Sequence, residues 1–205
     1  MSAILSLGMG YCIGCISPAA WIGKKKNVDL KSEGTKNLGA TNTALVLGRY
    51  AGYFVLFFDV LKSFVSYKLA KLLFPYLRLA GLIAGIGVIL GHCFPVTMGF
   101  QGGKGLASFG GIVLAHDLRA FAFLLVFGMF MAFVLNYGVY LAITSAVLFP
   151  VSCWLLHGDV LEALTCAIAS GIVIAMHMTN LRRALKREDP IRMWDGAHKI
   201  FGKKK

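Results

Sequence analysis

Long apolar runs dominate this sequence and limit the folds that it can adopt. A helix that crosses the hydrocarbon core of a bilayer needs about 20 apolar residues. Runs of roughly that length occupy 3–22, 50–73, 79–98, 119–135, 139–157 and 160–179, and a shorter run occupies 105–116. Soluble domains average about 45–50% apolar residues, whereas this 205-residue chain has 58%. The sequence therefore predicts an all-α integral membrane protein with about seven transmembrane helices.

The distribution of charge indicates how the predicted spans are oriented. Lys and Arg number 21 against 9 Asp and Glu, and they concentrate at 24–36 and 182–205. If the short run 105–116 crosses the bilayer, 16 of the 21 lie on one side, whereas a re-entrant run would divide them between both sides. Cytoplasmic loops carry an excess of Lys and Arg. The bias therefore favours seven crossings, with the N-terminus outside and the C-terminus in the cytoplasm.

The same distribution predicts two regions and the partners of the basic residues. A membrane domain spans 1–181, and a basic cytoplasmic tail spans 182–205. The net charge of +12 lies next to apolar segments, which favours anionic lipid or phosphate over nucleic acid. We expect a solvated tail that only fixes the topology; an interfacial segment lying on the bilayer is the alternative.

A glycine-rich stretch at 102–105 (GGKG) stands apart from the apolar runs. We expect it to leave backbone N–H groups bare, and successive bare N–H groups form an anion-holding nest. Lys104 adds a point charge that suits phosphate. It is no Walker A loop, because Gly105 stands where Ser or Thr should hold magnesium. The stretch predicts a phosphate site on the cytoplasmic side, with Lys104 as its main candidate.

A second polar stretch lies in the loop 23–49, which is predicted to be cytoplasmic. It offers hydroxyls, amides and a cation that suit a phosphate or a polyol, although ordinary turns favour the same residue types. The candidates are Thr35, Lys36, Asn37, Gly39, Thr41 and Asn42.

Two histidines and one intramembrane ion pair complete the candidates. His92 and His177 are expected at the same membrane face, where they could donate to phosphate or move a proton. A third ligand with metal-site spacing is missing from the sequence, so we expect no metal. Asp59 lies about 15 Å into its span. Lys62 is one turn further on, which predicts an intrahelical pair; a functional role for the intramembrane charge is the alternative.

Several of these segments together resemble one enzyme family. Residues 34–42 (GTKNLGATN) are similar to the first cytoplasmic motif of the bacterial acyl-phosphate-dependent glycerol-3-phosphate acyltransferases. Residues 91–96 (GHCFPV) with 102–105 are similar to the second. Residues 58–62 (FDVLK), and His177 with Asn180 and Arg183, also resemble the family, so that the resemblance covers essentially the whole chain.

The resemblance implies a multi-pass protein of the bacterial plasma (inner) membrane with a cytoplasmic active site. It implies transfer of a long-chain acyl group from acyl phosphate to the 1-hydroxyl of glycerol 3-phosphate, which gives lysophosphatidate without acyl-CoA, a metal or another cofactor. We predict Lys104, His92 and Thr35 as catalytic residues. The predicted substrate-binding residues are Lys36, Asn37, Gly39, Thr41, Asn42, Gly102, Gly103, Gly105, His177 and Asn180.

The chain also departs from the family pattern. Thr35 replaces a serine, Lys36 a glycine, Leu45 an arginine and Gln101 a lysine. The third motif, Arg/Lys-Tyr followed shortly by Ser, is replaced by 136–139 (NYGV). Two alternatives therefore stand beside the enzyme: a small-anion transporter built from the same glycine-rich segments, and a weakly active or non-catalytic paralogue with another acceptor.

Overall fold

The computed structural model describes residues 1–194, and their regular secondary structure is helical. These residues form α1 (Ser2–Gly14), α2 (Pro18–Lys25), α3 (Ala40–Leu47), α4 (Arg49–Leu73), α5 (Ala80–Cys93), a 3₁₀ turn (Val96–Met98), α6 (Leu106–His116), α7 (Leu118–Val134), α8 (Val139–His157) and α9 (Val160–Leu185). The chain divides into two compact units, Met1–Leu118 and Arg119–Lys205. The all-α prediction is confirmed.

Four helical segments of residues 1–194 are long and apolar enough to cross a membrane. They are Ser2–Lys25, Ala80–Met98, Val139–His157 and Val160–Leu185. The 25-residue α4 has sufficient length, but charged side chains such as Asp59, Lys62 and Lys68 interrupt its apolar character. The 11 residues of α6 reach only about 16 Å, so this run is as short as the sequence predicted. The number of crossings stays a prediction.

The first apolar run is broken, although the sequence predicted one continuous span over 3–22. α1 ends at Gly14, and α2 begins at Pro18 after Ser17 takes an extended conformation. Proline disfavours a helical conformation in the residue before it. It is well placed at the first position of a new helix because it has no N–H to satisfy there. The side chain of Ser17 accepts a hydrogen bond from the N–H of Ala20 at 3.3 Å and caps α2.

The stretch 23–49, predicted as a loop, contains the two-turn helix α3. Gly39 is extended and precedes its first turn, while Gly48 takes φ +94° and separates α3 from α4. A methyl group on Gly52 would lie 2.9 Å from the carbonyl oxygen of Ala40, so α3 folds back closely against the start of α4. The motif residues 39–42 are therefore held by a helix that packs on the rest of the first unit.

Glycines let α1 and α5 approach closely. α1 carries Gly10 and Gly14, and α5 carries Gly87 and Gly91, each pair four residues apart. A methyl group on any of these glycines would collide with backbone of the other helix. Small residues at this spacing are a common packing device between helices in membranes, because van der Waals contact replaces the missing hydrophobic driving force.

The second unit contains α8 packed along α9, and a segment after α9 that returns to the turn 136–138. The N–H of Gly138 donates to Ile191 O at 3.3 Å, and the side chain of Asn136 accepts from the N–H of Trp194 at 2.9 Å. Nε1 of Trp194 donates to Phe133 O at 3.0 Å. The prediction of a solvated tail is thus wrong for 191–194. Of the other tail residues, 182–185 belong to α9, and 195–205 lie outside the described residues.

Candidate active site

Three ionisable side chains of α4 and α5 meet in the interior of the first unit. Nζ of Lys62 lies 2.7 Å from Oδ1 of Asp59, as the predicted intrahelical pair requires. It also lies 3.1 Å from Nδ1 of His92. The side chains of Asp59 and Lys62 are only 2% and 6% exposed. A buried charge must be paired to be tolerated, so the predicted pair is confirmed and extends to a histidine of the second motif.

Lys62 also joins the cluster to the break in the first apolar run. Its ammonium donates to the carbonyl oxygens of Gly14 at 3.2 Å and Ile16 at 2.8 Å. The last carbonyls of a helix lack intrahelical donors, and a cation at this end is also favoured by the helix dipole. The sequence did not reveal this contact, because Lys62 and Gly14 are 48 residues apart.

The glycine-rich stretch folds back on the end of α5. The N–H of Gly102 donates to Cys93 O at 3.0 Å, and the N–H of Gly103 donates to His92 O at 3.0 Å. The prediction that these two N–H groups are bare is therefore wrong: they close a turn that positions the following lysine. The assignment of Gly102 and Gly103 to substrate binding stays a prediction.

Bare backbone donors occur instead one step later, at the start of α6. Gly105 precedes this helix with φ +83°, which a residue with a side chain would adopt only under strain. Its carbonyl accepts the first intrahelical hydrogen bond, from Phe109. The N–H groups at the first positions of a helix have no intrahelical partner and attract anions. Half-buried Lys104 stands immediately before them.

Gly103 brings the two predicted motifs together. A methyl group at this residue would collide with Nε2 of His92, and it would lie 2.8 Å from the carbonyl oxygen of Leu38 in the first motif. Lys31 adds a second link between the loops, because its ammonium donates to Met98 O at 3.0 Å. The first motif, His92 and the stretch before α6 are thus neighbours in the first unit.

Asn42 organises the first motif from inside. It is fully buried, its Oδ1 accepts from the N–H of Thr35 at 2.6 Å, and its Nδ2 donates to Leu30 O at 2.8 Å. These bonds fold the loop 30–35 over the start of α3. Asn42 therefore positions Thr35, and a direct contact of Asn42 with substrate stays a prediction.

The other candidates of the first motif differ in how far they are exposed. Thr35 and Asn37 are half-buried, whereas Lys36 and Thr41 are exposed. Lys36 takes φ +56°, in the region where glycine is favoured, so the backbone keeps a conformation suited to the glycine that Lys36 replaces. Gly39 lies directly before α3.

His177 and Asn180 lie on α9 in the second unit, three residues apart and so on one face of that helix. His177 is buried, and its Nδ1 lies 2.8 Å from the carbonyl oxygen of Val173. A carbonyl can only accept, so Nδ1 of His177 carries a proton. Their predicted binding roles stay predictions.

A cavity of about 610 Å³ lies beside this site in the first unit, between α2, the loop 27–31 and the 3₁₀ turn. It shares Leu38 with the first motif, but neither His92 nor Lys104 lines it. The candidate site is thus the region where the first motif, His92 and the stretch before α6 meet, and the cavity is its neighbour.

Comparison with known proteins identifies a family for this chain. A family profile described as "Glycerol-3-phosphate acyltransferase" matches residues 4–187. The glycerol-3-phosphate acyltransferase of Fusobacterium nucleatum subsp. nucleatum is 37% identical over 179 residues, 85% of this chain and 90% of the relative. That of Staphylococcus carnosus is 32% identical over 205 residues, 95% of this chain and 100% of the relative.

Two solved structures share the fold. They are crystal structures of PlsY (YgiH), an integral membrane glycerol 3-phosphate acyltransferase, in a glycerol 3-phosphate form and a lysophosphatidic acid form. The first has a TM-score of 0.86 and 28% identity, and covers 93% of this chain and 96% of PlsY. The second has a TM-score of 0.84. This chain therefore belongs to the glycerol-3-phosphate acyltransferase family, and the enzyme class predicted from its motifs, an acyltransferase, is confirmed.

Proposed function

We propose that this protein transfers a fatty acyl group from acyl phosphate to the 1-hydroxyl of glycerol 3-phosphate. The products are 1-acyl-glycerol 3-phosphate and inorganic phosphate. The observation that carries the proposal is the junction at Gly103, where the first motif, His92 and the start of α6 with Lys104 come together. Family membership supports glycerol 3-phosphate as the acceptor, because the crystal structure of PlsY, which shares the fold, is a glycerol 3-phosphate form.

Acyl phosphate suits a site that has cations and backbone donors. It is a mixed anhydride, so the substrate hydroxyl attacks an activated carbonyl carbon, the bond to phosphate breaks, and an ester forms. Such a reaction needs positioning of the two substrates and stabilisation of charge more than it needs a protein nucleophile. Both substrates carry phosphate, for which Lys104 and the N–H groups at the start of α6 provide a charge and a dipole.

The remaining residues take proposed roles around that centre. Half-buried Thr35, held by Asn42, offers a hydroxyl to a phosphate oxygen. Lys36, Asn37, Gly39 and Thr41 form the loop and helix start that face the acceptor. The ring of His92 lies against Gly103, beside the stretch that leads to Lys104. We place this site on the cytoplasmic side of the plasma membrane, where soluble glycerol 3-phosphate is supplied.

The decisive experiment uses purified protein, palmitoyl phosphate and radiolabelled glycerol 3-phosphate, with labelled lysophosphatidate as the readout. We expect labelled product with palmitoyl phosphate and none with palmitoyl-CoA. Activity with palmitoyl-CoA alone would contradict the proposed donor. Release of phosphate without labelled lipid would contradict the acceptor and favour the paralogue that uses another one.

A transport assay separates the enzyme from the small-anion transporter. The same preparation in liposomes should form lysophosphatidate from external glycerol 3-phosphate. Uptake of unmodified glycerol 3-phosphate without any labelled lipid would contradict the enzyme.

A further inference from the structure

The contacts of Lys62 fix more than the packing of α4. An ammonium group has three N–H donors and no acceptor. Two of its neighbours, the carbonyl oxygens of Gly14 and Ile16, can only accept. Asp59 provides the counter-charge, with Oδ1 at 2.7 Å, but this oxygen makes no hydrogen bond to any described residue. The three hydrogen-bond contacts of the ammonium are therefore with Gly14 O, Ile16 O and Nδ1 of His92, one for each donor.

This direction determines the state of the His92 ring. Nδ1 lies 3.1 Å from Nζ of Lys62, and since Nζ cannot accept, a hydrogen bond between them requires an unprotonated Nδ1. The competing partner is Oδ1 of Asp59, to which a protonated Nδ1 would donate, but that separation is 3.4 Å. N–H···O bonds cluster at about 2.9–3.0 Å. The shorter contact to the cation favours a neutral ring with its proton on Nε2.

Nε2 of His92, which carries the proton in this tautomer, lies next to the glycine-rich stretch. A methyl group on Gly103 would collide with Nε2, so this nitrogen lies against the stretch that precedes Lys104 and α6. The carbonyl of His92 also receives the N–H of Gly103. The ring and the backbone of His92 thus both contact Gly103, and His92 as a whole is only 7% exposed.

We propose that Lys62 is a positioning residue that locks His92 in the Nε2–H tautomer and thereby makes His92 a hydrogen-bond donor to a substrate phosphate oxygen. The inference rests on the proposed function, because the proposed substrates supply that oxygen. It excludes a general-base role for His92, since Nε2 already carries its proton. The buried pair of α4 therefore serves the site, whereas the sequence favoured a purely structural ion pair.

His177 supplies an internal contrast. Its Nδ1 donates to Val173 O and so carries a proton, and we expect the opposite tautomer in this ring. The ring proton is thus expected on Nε2 in His92 and on Nδ1 in His177. Both histidines are buried, and a single measurement can compare them.

The test is an ¹⁵N nuclear magnetic resonance spectrum of the full-length protein with labelled histidine rings, which distinguishes protonated from unprotonated ring nitrogens. We expect His92 to show an unprotonated Nδ1 and a protonated Nε2, and His177 the reverse. Single replacements of His116, His157, His177 and His198 assign the signals, because the set that survives in all four belongs to His92. A protonated Nδ1 in His92 overturns the proposal, and no substrate or activity is needed to see it.

A matched pair of variants tests the functional half. The amide nitrogen of Gln reaches the position of Nε2, and that of Asn reaches the position of Nδ1. We expect His92→Gln to keep at least about tenfold more kcat/KM than His92→Asn, which corresponds to about 1.4 kcal/mol. Equal loss in both variants would overturn the donor role.

Variants of Lys62 complete the test. Lys62→Arg keeps a cation without an acceptor, so the Nε2–H tautomer and part of the activity should remain; a tautomer unchanged in Lys62→Met would overturn the role of Lys62. If Lys62→Met fails to fold, Lys62→Gln gives the same comparison with a polar side chain.

If the wild-type protein forms no lysophosphatidate while His92 has the expected tautomer, the proposed function fails and the tautomer assignment stands.

Discussion

Lys104 stands before the first turn of α6, where its charge adds to the unpaired N–H groups of that turn. A hydrogen bond to a charged group contributes about 1.5–3 kcal/mol, so Lys104→Ala should lower kcat/KM for acyl transfer roughly 10- to 150-fold. The assay is lysophosphatidate formation at equal amounts of membrane-inserted protein. Lys25→Ala, which removes an exposed lysine from the end of α2, is the matched control. A Lys104→Ala variant with more than half of the parent activity would refute the phosphate role.

At the scale of single residues, the sequence indicated which polar stretches are candidates but not how their side chains are connected. Local motifs indicated that Lys104, His92 and Thr35 belong to polar, glycine-rich stretches. Nothing local indicates that Asn42 braces Thr35 from inside, or that Lys62 reaches Gly14 and His92. These contacts depend on how distant helices pack, and periodicity within one segment carries no information about them.

At the scale of the helix, α3 makes one departure from the family testable. Leu45 replaces an arginine and is 45% exposed, one turn after Thr41 on α3. The nearest arginine, Arg49, lies over the ring of Tyr50 at 5.0 Å. A guanidinium can form two parallel hydrogen bonds to a phosphate, so Leu45→Arg should lower the KM for glycerol 3-phosphate.

The neutral variant Leu45→Gln controls for side-chain length in the same titration. An unchanged KM in Leu45→Arg, together with a harmful Arg49→Ala, would show that Arg49 already supplies the charge. An unchanged KM with harmless Arg49→Ala and Lys36→Ala would argue that glycerol 3-phosphate is not the natural acceptor.

The interface of α1 and α5 makes a second prediction at this scale. A methyl group on Gly10 would collide with the backbone of Ala84, whereas one on Gly8, two residues earlier in α1, meets nothing within 4 Å. Overpacking costs about 1–3 kcal/mol, so Gly10→Ala should lower the unfolding temperature in detergent. Gly8→Ala should leave it unchanged or raise it, because alanine favours the helix. A Gly10→Ala variant as stable as Gly8→Ala would contradict this close packing.

The sequence predicted most of the helices, but it did not predict the break at 15–17 or the short helix α3. Apolar runs predicted α4, α7 and α8 within one residue at each end, whereas α5 ends five residues before its run and α9 continues six residues beyond its run. The break at 15–17 was missed because the apolar run continues across it, although Ser17 and Pro18 are typical of a helix start. α3 was missed because its eight residues are polar at one end and follow a glycine, a composition that turns share.

For the whole molecule, composition and family agree on an integral membrane enzyme, and the orientation rests on charge alone. Of the 21 Lys and Arg residues, 16 lie on the side predicted to be cytoplasmic if seven helices cross. The exposed Lys25 lies on that side at the end of α2. Tyr76, fully exposed at 102%, lies between α4 and α5 on the opposite predicted side. The two positions therefore report on the two faces.

We expect single cysteines at these positions, in a variant without the five native cysteines, to react differently in intact cells. Tyr76→Cys should be labelled by a membrane-impermeant thiol reagent, whereas Lys25→Cys should react only after permeabilisation. The physical reason is the excess of Lys and Arg in cytoplasmic loops. The reversed pattern would invert the topology and move the site away from cytoplasmic glycerol 3-phosphate. Labelling of both positions without permeabilisation would show that they share an outer face, and α4, which lies between them, would then not cross the membrane.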